Sequence, residues 1–313
     1  MNRFIVAALA VCGIAAGVVN AKEYTLSSPD GHLRLTVDAG KRLTWSLMHD
    51  STTVIAPSPI SLSLSDGKVL GASPRVKKVS TRKVDTSFAT PFYKKSEVKD
   101  VYNELTLRLS DGLSVIFRAY DDCAAYRLSL DGKGARRVTS EEAMFNFAGD
   151  YKAFIPYVND LRDADYPYSY SFESYYDESP ISEMYADSLA IVPLLVELPH
   201  GKKALIMEGD VEGYPGMFLV KGENANSIEA RFAPEPLSEK IGGFSELNLI
   251  PVETASYIAE IEGTVTLPWR AVTVATSDSQ LADSDMAQRL ASPSRIADTS
   301  WIKPGKVAWD WWN

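Results

Sequence analysis

Leu105-Thr-Leu-Arg-Leu-Ser-Asp-Gly-Leu-Ser-Val-Ile-Phe-Arg-Ala119 carries the reading of the fold. Leu105, Leu107 and Leu109 take alternate positions, Asp111-Gly112 interrupts, and Leu113, Val115 and Phe117 resume the alternation. Alternation broken by Asp-Gly is the signal of an antiparallel hairpin with one apolar face. The pattern extends both ways along the chain. Leu33, Leu35 and Val37 alternate with polar residues, Ile60, Leu62 and Leu64 run into Asp66-Gly67, and Tyr126, Leu128 and Leu130 stop at Asp131-Gly132. Helical periodicity is scarce before the end, the best candidate being the polar stretch 278–290 with Leu281 and Leu290 as anchors. Residues 22–276 therefore read as one large antiparallel β-sandwich with one face of each strand on a core and the other in water.

The 313 residues are 45% hydrophobic and 23% charged, which excludes disorder, collagen and a disulfide-stapled miniature. The net charge is −9 with no basic stretch of nucleic-acid-binding quality, so nucleic acid is not an expected partner. Residues 1–21 combine Arg3, an apolar run from Phe4 to Val19 and a small Ala21, the layout of a secretory signal peptide rather than a membrane anchor. Cys123 then remains alone in an apolar, strand-like context and reads as a buried structural thiol.

Two stretches could carry chemistry. Tyr166, Tyr168, Tyr170 and Phe172 fall on every second position, on one side of the chain if the segment is extended, either as a core face or as a platform for sugar rings. Glu173 follows in the opposite phase and reads from spacing alone as a solvated carboxylate. Glu208, Asp210 and Glu212 alternate ahead of Tyr214-Pro-Gly-Met217, oxygen donors that could serve Ca²⁺ or simply solvate a turn. His32, His49 and His200 have no pair at ligand spacing and two of them flank turn glycines, which argues against zinc and against a mutarotase. The chain closes on Trp309-Asp310-Trp311-Trp312-Asn313 after a Pro304-Gly305 turn, read as the first strand of a further domain and not as a frayed terminus.

At this tail the sequence resembles glycoside hydrolase family 97: Asp298-Thr-Ser-Trp-Ile-Lys-Pro-Gly-Lys-Val-Ala-Trp-Asp-Trp-Trp-Asn313 is similar to that family's junction between N-terminal domain and catalytic barrel. Ser28-Pro-Asp-Gly31, Phe117-Arg-Ala-Tyr-Asp-Asp122 with Ala125-Tyr-Arg127, Glu208 through Met217, and Pro268-Trp-Arg270 match further landmarks in order, with Cys123 standing where glycine is expected. The resemblance implies a β-super-sandwich similar to galactose mutarotase over residues 22–276, a connecting segment over 277–300, and the truncated start of a (β/α)8 barrel over 301–313. It implies a secreted, periplasmic α-glucosidase or α-galactosidase that needs Ca²⁺, with Glu173 as a metal ligand, Glu178 as the fallback, and Asp310, Trp311, Trp312 and Asn313 against the substrate.

The partners so implied are an oligosaccharide or α-glycoside and the chain's own downstream barrel. The catalytic carboxylates, about 5–5.5 Å apart for retention or about 6.5–9.5 Å for inversion, would lie on that barrel and are expected to be missing from this sequence. The competing expectation is a stand-alone carbohydrate-binding β-sandwich without catalytic activity.

Overall fold

The computed structural model describes residues 23–90, 92–159, 166–243, 246–303 and 305–308. Two antiparallel sheets face each other. The first runs Glu23–Ser27, Leu33–Ala39, Leu43–His49, Thr52–Leu64, Ala135–Asn146, Ser227–Phe232 and Met217–Lys221, with Val69–Leu70 and Ala259–Glu262 attached to its middle strands. The second runs Asp177–Pro180, Lys152–Ile155, Leu194–Glu197, Lys203–Gly209, Trp269–Ala275, Cys123–Leu130, Leu113–Ala119, Glu97–Leu109 and Val76–Ala89, with Val265–Thr266 on Cys123–Leu130. A two-stranded ribbon, Pro236–Gly242 and Asn248–Thr254, stands apart from both.

The alternating residues are the core. Leu105 pairs with Phe117 and Leu107 with Val115, while Phe117 pairs onward with Tyr126, so the apolar faces of three strands align in register. All of these residues are buried, as are Leu33, Leu35, Val37, Ile60, Leu62, Leu128 and Leu130, in one cluster that both sheets share. Each such side chain contributes ~1.5–3 kcal/mol on leaving water, which is what holds the sheets together. Gly112 closes the hairpin at φ +95°, a left-handed conformation that glycine adopts without a steric clash.

Three expectations need correction. Asp131-Gly132 does not close a hairpin. The chain leaves the second sheet after Leu130 and joins the first at Ala135, where Ala135–Asn146 pairs edge to edge with Thr52–Leu64. The helical stretch is two short helices, Asp278–Ala282 and Met286–Leu290, and its buried anchors are Met286 and Leu290, with Leu281 only half-buried. Not every strand keeps a wet face. Trp269–Ala275 is buried on both sides, since Met286 and Leu290 pack with Trp269, Ala271, Tyr120 and Cys123 on the outer side of the second sheet.

That outer side is polar and stacked. Arg118 lies 4.6 Å over the Trp269 ring and 4.3 Å over Tyr102, and Arg127 lies 4.3 Å over Trp269. Glu104 takes Arg82 Nε at 2.7 Å and Arg118 Nε at 2.9 Å. Burial raises the Glu104 pKa, but those two guanidinium bonds outweigh it and hold the carboxyl below its usual range. Cys123 is fully buried, and burial pushes its thiol up, as a structural role requires.

Candidate functional site

Glu173 lies on an exposed surface stretch between two anchors. Ser171 bridges to Asn159 before it, and Asp177–Pro180 pairs with Lys152–Ile155 after it, at the edge of the second sheet. The surrounding rings do not form the expected one-sided stripe. A 3-10 turn at Pro167–Ser169 breaks the extension, because Pro167 favours the turn and Tyr170 N–H bonds back to the Pro167 carbonyl at 3.2 Å. Tyr166 and Tyr168 consequently tilt against each other at 5.5 Å, and Tyr168 meets Phe218 edge-on at 5.3 Å.

Phe172 and Tyr176 pair at 5.0 Å on either side of Glu173, and Tyr157 stacks on Tyr185 at 4.9 Å with its hydroxyl accepting the Tyr185 N–H at 2.8 Å. The segment is thus neither core nor flat platform. It is an aromatic rim with Tyr175, Tyr176 and Tyr185 exposed and the exposed carboxylates Glu173 and Asp177 along the same stretch. The fallback carboxylate, Glu178, sits within a strand and pairs with Lys152 at 2.5 Å. Asp310, Trp311, Trp312 and Asn313 lie outside the described residues.

The second acidic stretch folds into ion pairs, each carboxylate with its own arginine. Glu208 receives Arg270 Nη1 at 2.8 Å and the Met217 N–H at 3.0 Å. Asp210 meets Arg127 at 3.3 Å and accepts the Ser292 N–H at 2.8 Å, while Glu212 takes Arg295 Nη1 at 3.0 Å. Arg270 reaches across the core to Glu141 on the opposite sheet, with both contacts at 2.8 Å. Burial raises the Glu208 pKa against the pull of Arg270 and the Met217 N–H. Spacing showed three alternating donors but not that two neighbouring strands and the connector carry a matching arginine for each. The stretch ties sheet to sheet and connector to sheet, and is not a metal site.

A cleft of about 620 Å³ is lined by Asp30, His32, His49, Asp50, Asp121 and Arg289 among others. The pairing of Leu33–Ala39 with Leu43–His49 brings the two histidine rings to 6.0 Å, a proximity that their sequence separation hides but the hairpin register implies. His32 Nδ1 lies 2.6 Å from Asp50, which also receives Lys202 at 3.2 Å. Those two hydrogen bonds lower the Asp50 pKa to about 2, and the same contact raises that of His32. These contacts fasten the turns at the cleft, whose lining carries more acidic than basic side chains. Among the described residues no group of three or more His, Cys, Asp or Glu side chains could hold a metal ion.

The connector after the sheets is clamped along the second sheet. Lys203 pairs with Asp278 at 2.6 Å, Tyr93 and Lys95 reach Asp285 at 2.9 and 2.7 Å, and Arg289 pairs with Asp122 at 3.0 Å. Among the described residues no helix is long and apolar enough to cross a membrane.

A family model described as "Glycosyl-hydrolase 97 N-terminal" matches residues 26–293. The chain is 40% identical over 294 residues to a retaining alpha-galactosidase of Bacteroides thetaiotaomicron, covering 93% of this chain and 44% of that protein. It is 27% identical over 290 residues to a probable retaining alpha-galactosidase of Streptomyces bingchenggensis, covering 91% of this chain and 40% of that one. A glycoside hydrolase family 97 enzyme from Pseudoalteromonas sp. strain K8, solved in complex with acarbose, superposes with a TM-score of 0.73 at 21% identity over 90% of this chain and 40% of that chain. The chain thus spans less than half the length of the curated relatives it matches.

Proposed function

Since the chain belongs to glycoside hydrolase family 97 and carries that family's N-terminal domain, we propose that it is the substrate-facing support of an exported, calcium-dependent retaining α-galactosidase. The observation that carries the reading is the 40% identity to the Bacteroides enzyme over nearly the whole chain. The catalytic pair belongs, in this reading, to a barrel that follows, as do the sugar contacts assigned to Asp310, Trp311, Trp312 and Asn313. A retaining pair stands about 5–5.5 Å apart and works through a glycosyl-enzyme intermediate.

The β-sandwich contributes position and charge. Its aromatic rim holds Glu173 at the surface, anchored by the Ser171–Asn159 bridge and the Asp177–Pro180 strand, where it can meet a cation held mainly by another domain. Bound there, Ca²⁺ would polarise sugar oxygens as a hard Lewis acid. The exposed rings of Tyr175, Tyr176 and Tyr185 offer apolar faces to sugar C–H groups at the same rim. Export through residues 1–21 places the enzyme in the periplasm.

The test is a chelator titration of the full-length enzyme and its Glu173→Gln variant. The variant should lose activity at lower chelator concentration than the wild type and recover at higher added calcium. Superimposable titrations would remove Glu173 from the calcium shell.

A further inference from the structure

The ribbon formed by Pro236–Gly242 and Asn248–Thr254 is joined to neither large sheet among the described residues. A lone two-stranded hairpin is marginal in water. This one also displays Leu237, Ile241, Leu247, Leu249 and Val252, each at least 60% exposed. Ile241 lies opposite Leu249 in the register, so one face carries an aliphatic pair, while Ile250 turns to the other side and is buried over Gly242. Glu239, Lys240 and Glu253 are exposed on the same two strands. An apolar centre with a charged margin is the anatomy of an interface.

The position of the ribbon says what covers it. One cleft is lined by Gly213, Glu235, Pro236 and Glu260 at the ribbon's root. The neighbouring cleft shares Gly213 and Glu260 and is lined by Ser292 and Arg295, where Asp210 and Glu212 fasten the connector. The chain therefore leaves the sandwich beside the ribbon, and Ile296, Trp301 and Val307 beyond that point are exposed as well. The curated relatives continue for more than half of their length outside the matched part.

Resting on the family reading above, we propose that the 236–254 ribbon is a docking strut for the domain that follows the connector. Its aliphatic face and the apolar residues after Arg295 are buried together against that domain. The clamped connector then sets orientation, and the strut supplies a second, sequence-distant point of attachment.

Hydrogen exchange read by mass spectrometry tests this on the protein purified from its source and on the chain ending at Asn313, with intact mass measured first. Amides of the ribbon should exchange about tenfold or more slowly in the longer protein than in the shorter chain. A longer protein with equal exchange in both would overturn the docking and leave the family reading intact. A native mass matching a chain that ends at Asn313 would remove the following domain, and both proposals with it. Protection of the ribbon in the shorter chain that grows with protein concentration would assign the surface to a second copy and overturn the strut.

Discussion

Replacing Arg270 with methionine would strike the contact that crosses the core. The guanidinium is 0% exposed and sits against Glu141 and Glu208, whose side chains are 2% and 12% exposed. Three contacts at 2.8 Å disappear and two carboxylates remain between the sheets without their cation. Removing one partner of a buried pair costs ~3–5 kcal/mol, most of it from the charge left behind. At about 2 °C per kcal/mol for a domain of this size, the melting temperature should fall by ~6–10 °C.

Two controls separate charge from packing. Combining Arg270→Met with Glu141→Leu removes one of the stranded charges, so a large part of the loss should return. Acidification should narrow the gap between Arg270→Met and wild type. The stranded carboxylates bind protons more readily folded than unfolded, so the variant gains stability as pH falls. Calorimetry from pH 7 down to pH 5 reads both effects. A shift below about 2 °C, or a gap that widens with acid, would refute the view that this triad locks the sheets.

Trp269→Ala removes the ring held between Arg118 and Arg127 and should cost ~3–5 kcal/mol in denaturant unfolding, since a fully buried tryptophan is lost along with two cation–π contacts. The His32–Asp50 contact should be strongest between the ordinary histidine and aspartate ranges. The His32 share, with its pKa raised, is lost as pH rises through the folded value, and the Asp50 share is lost as pH falls through about 2. Titration of His32 by NMR should accordingly shift downward in Asp50→Asn. Cys123 should resist a thiol reagent in the native protein and react after denaturation, because it is buried and its thiolate is disfavoured.

Local alternation was enough to place the core. Leu105, Leu107, Val115 and Phe117 announce their face by period alone, and they are buried in register. What depends on pairing between distant strands was not legible. Arg270 and Glu141 meet across the two sheets although 129 positions separate them, so an acidic stretch that looks like a metal loop becomes a set of ion pairs. His32 and His49 face each other only because one hairpin register brings them there. Asp131-Gly132 carries the same dipeptide as the hairpin turn at Asp111-Gly112, yet the chain crosses between sheets, since the next apolar strand finds its partner in Thr52–Leu64. The alternation of tyrosines failed for a local reason, the proline turn at Pro167. Glu173 was singled out by resemblance rather than spacing, and the fold places it on the surface.

The proposed role as N-terminal support of a calcium-dependent α-galactosidase is tested most directly by release of galactose from an aryl α-galactoside by the protein purified at full length, with and without a calcium chelator. Release should outpace cleavage of the matching α-glucoside, stop on chelation and return with added calcium. Release that is indifferent to chelation, or a full-length protein that cleaves neither glycoside, would contradict it.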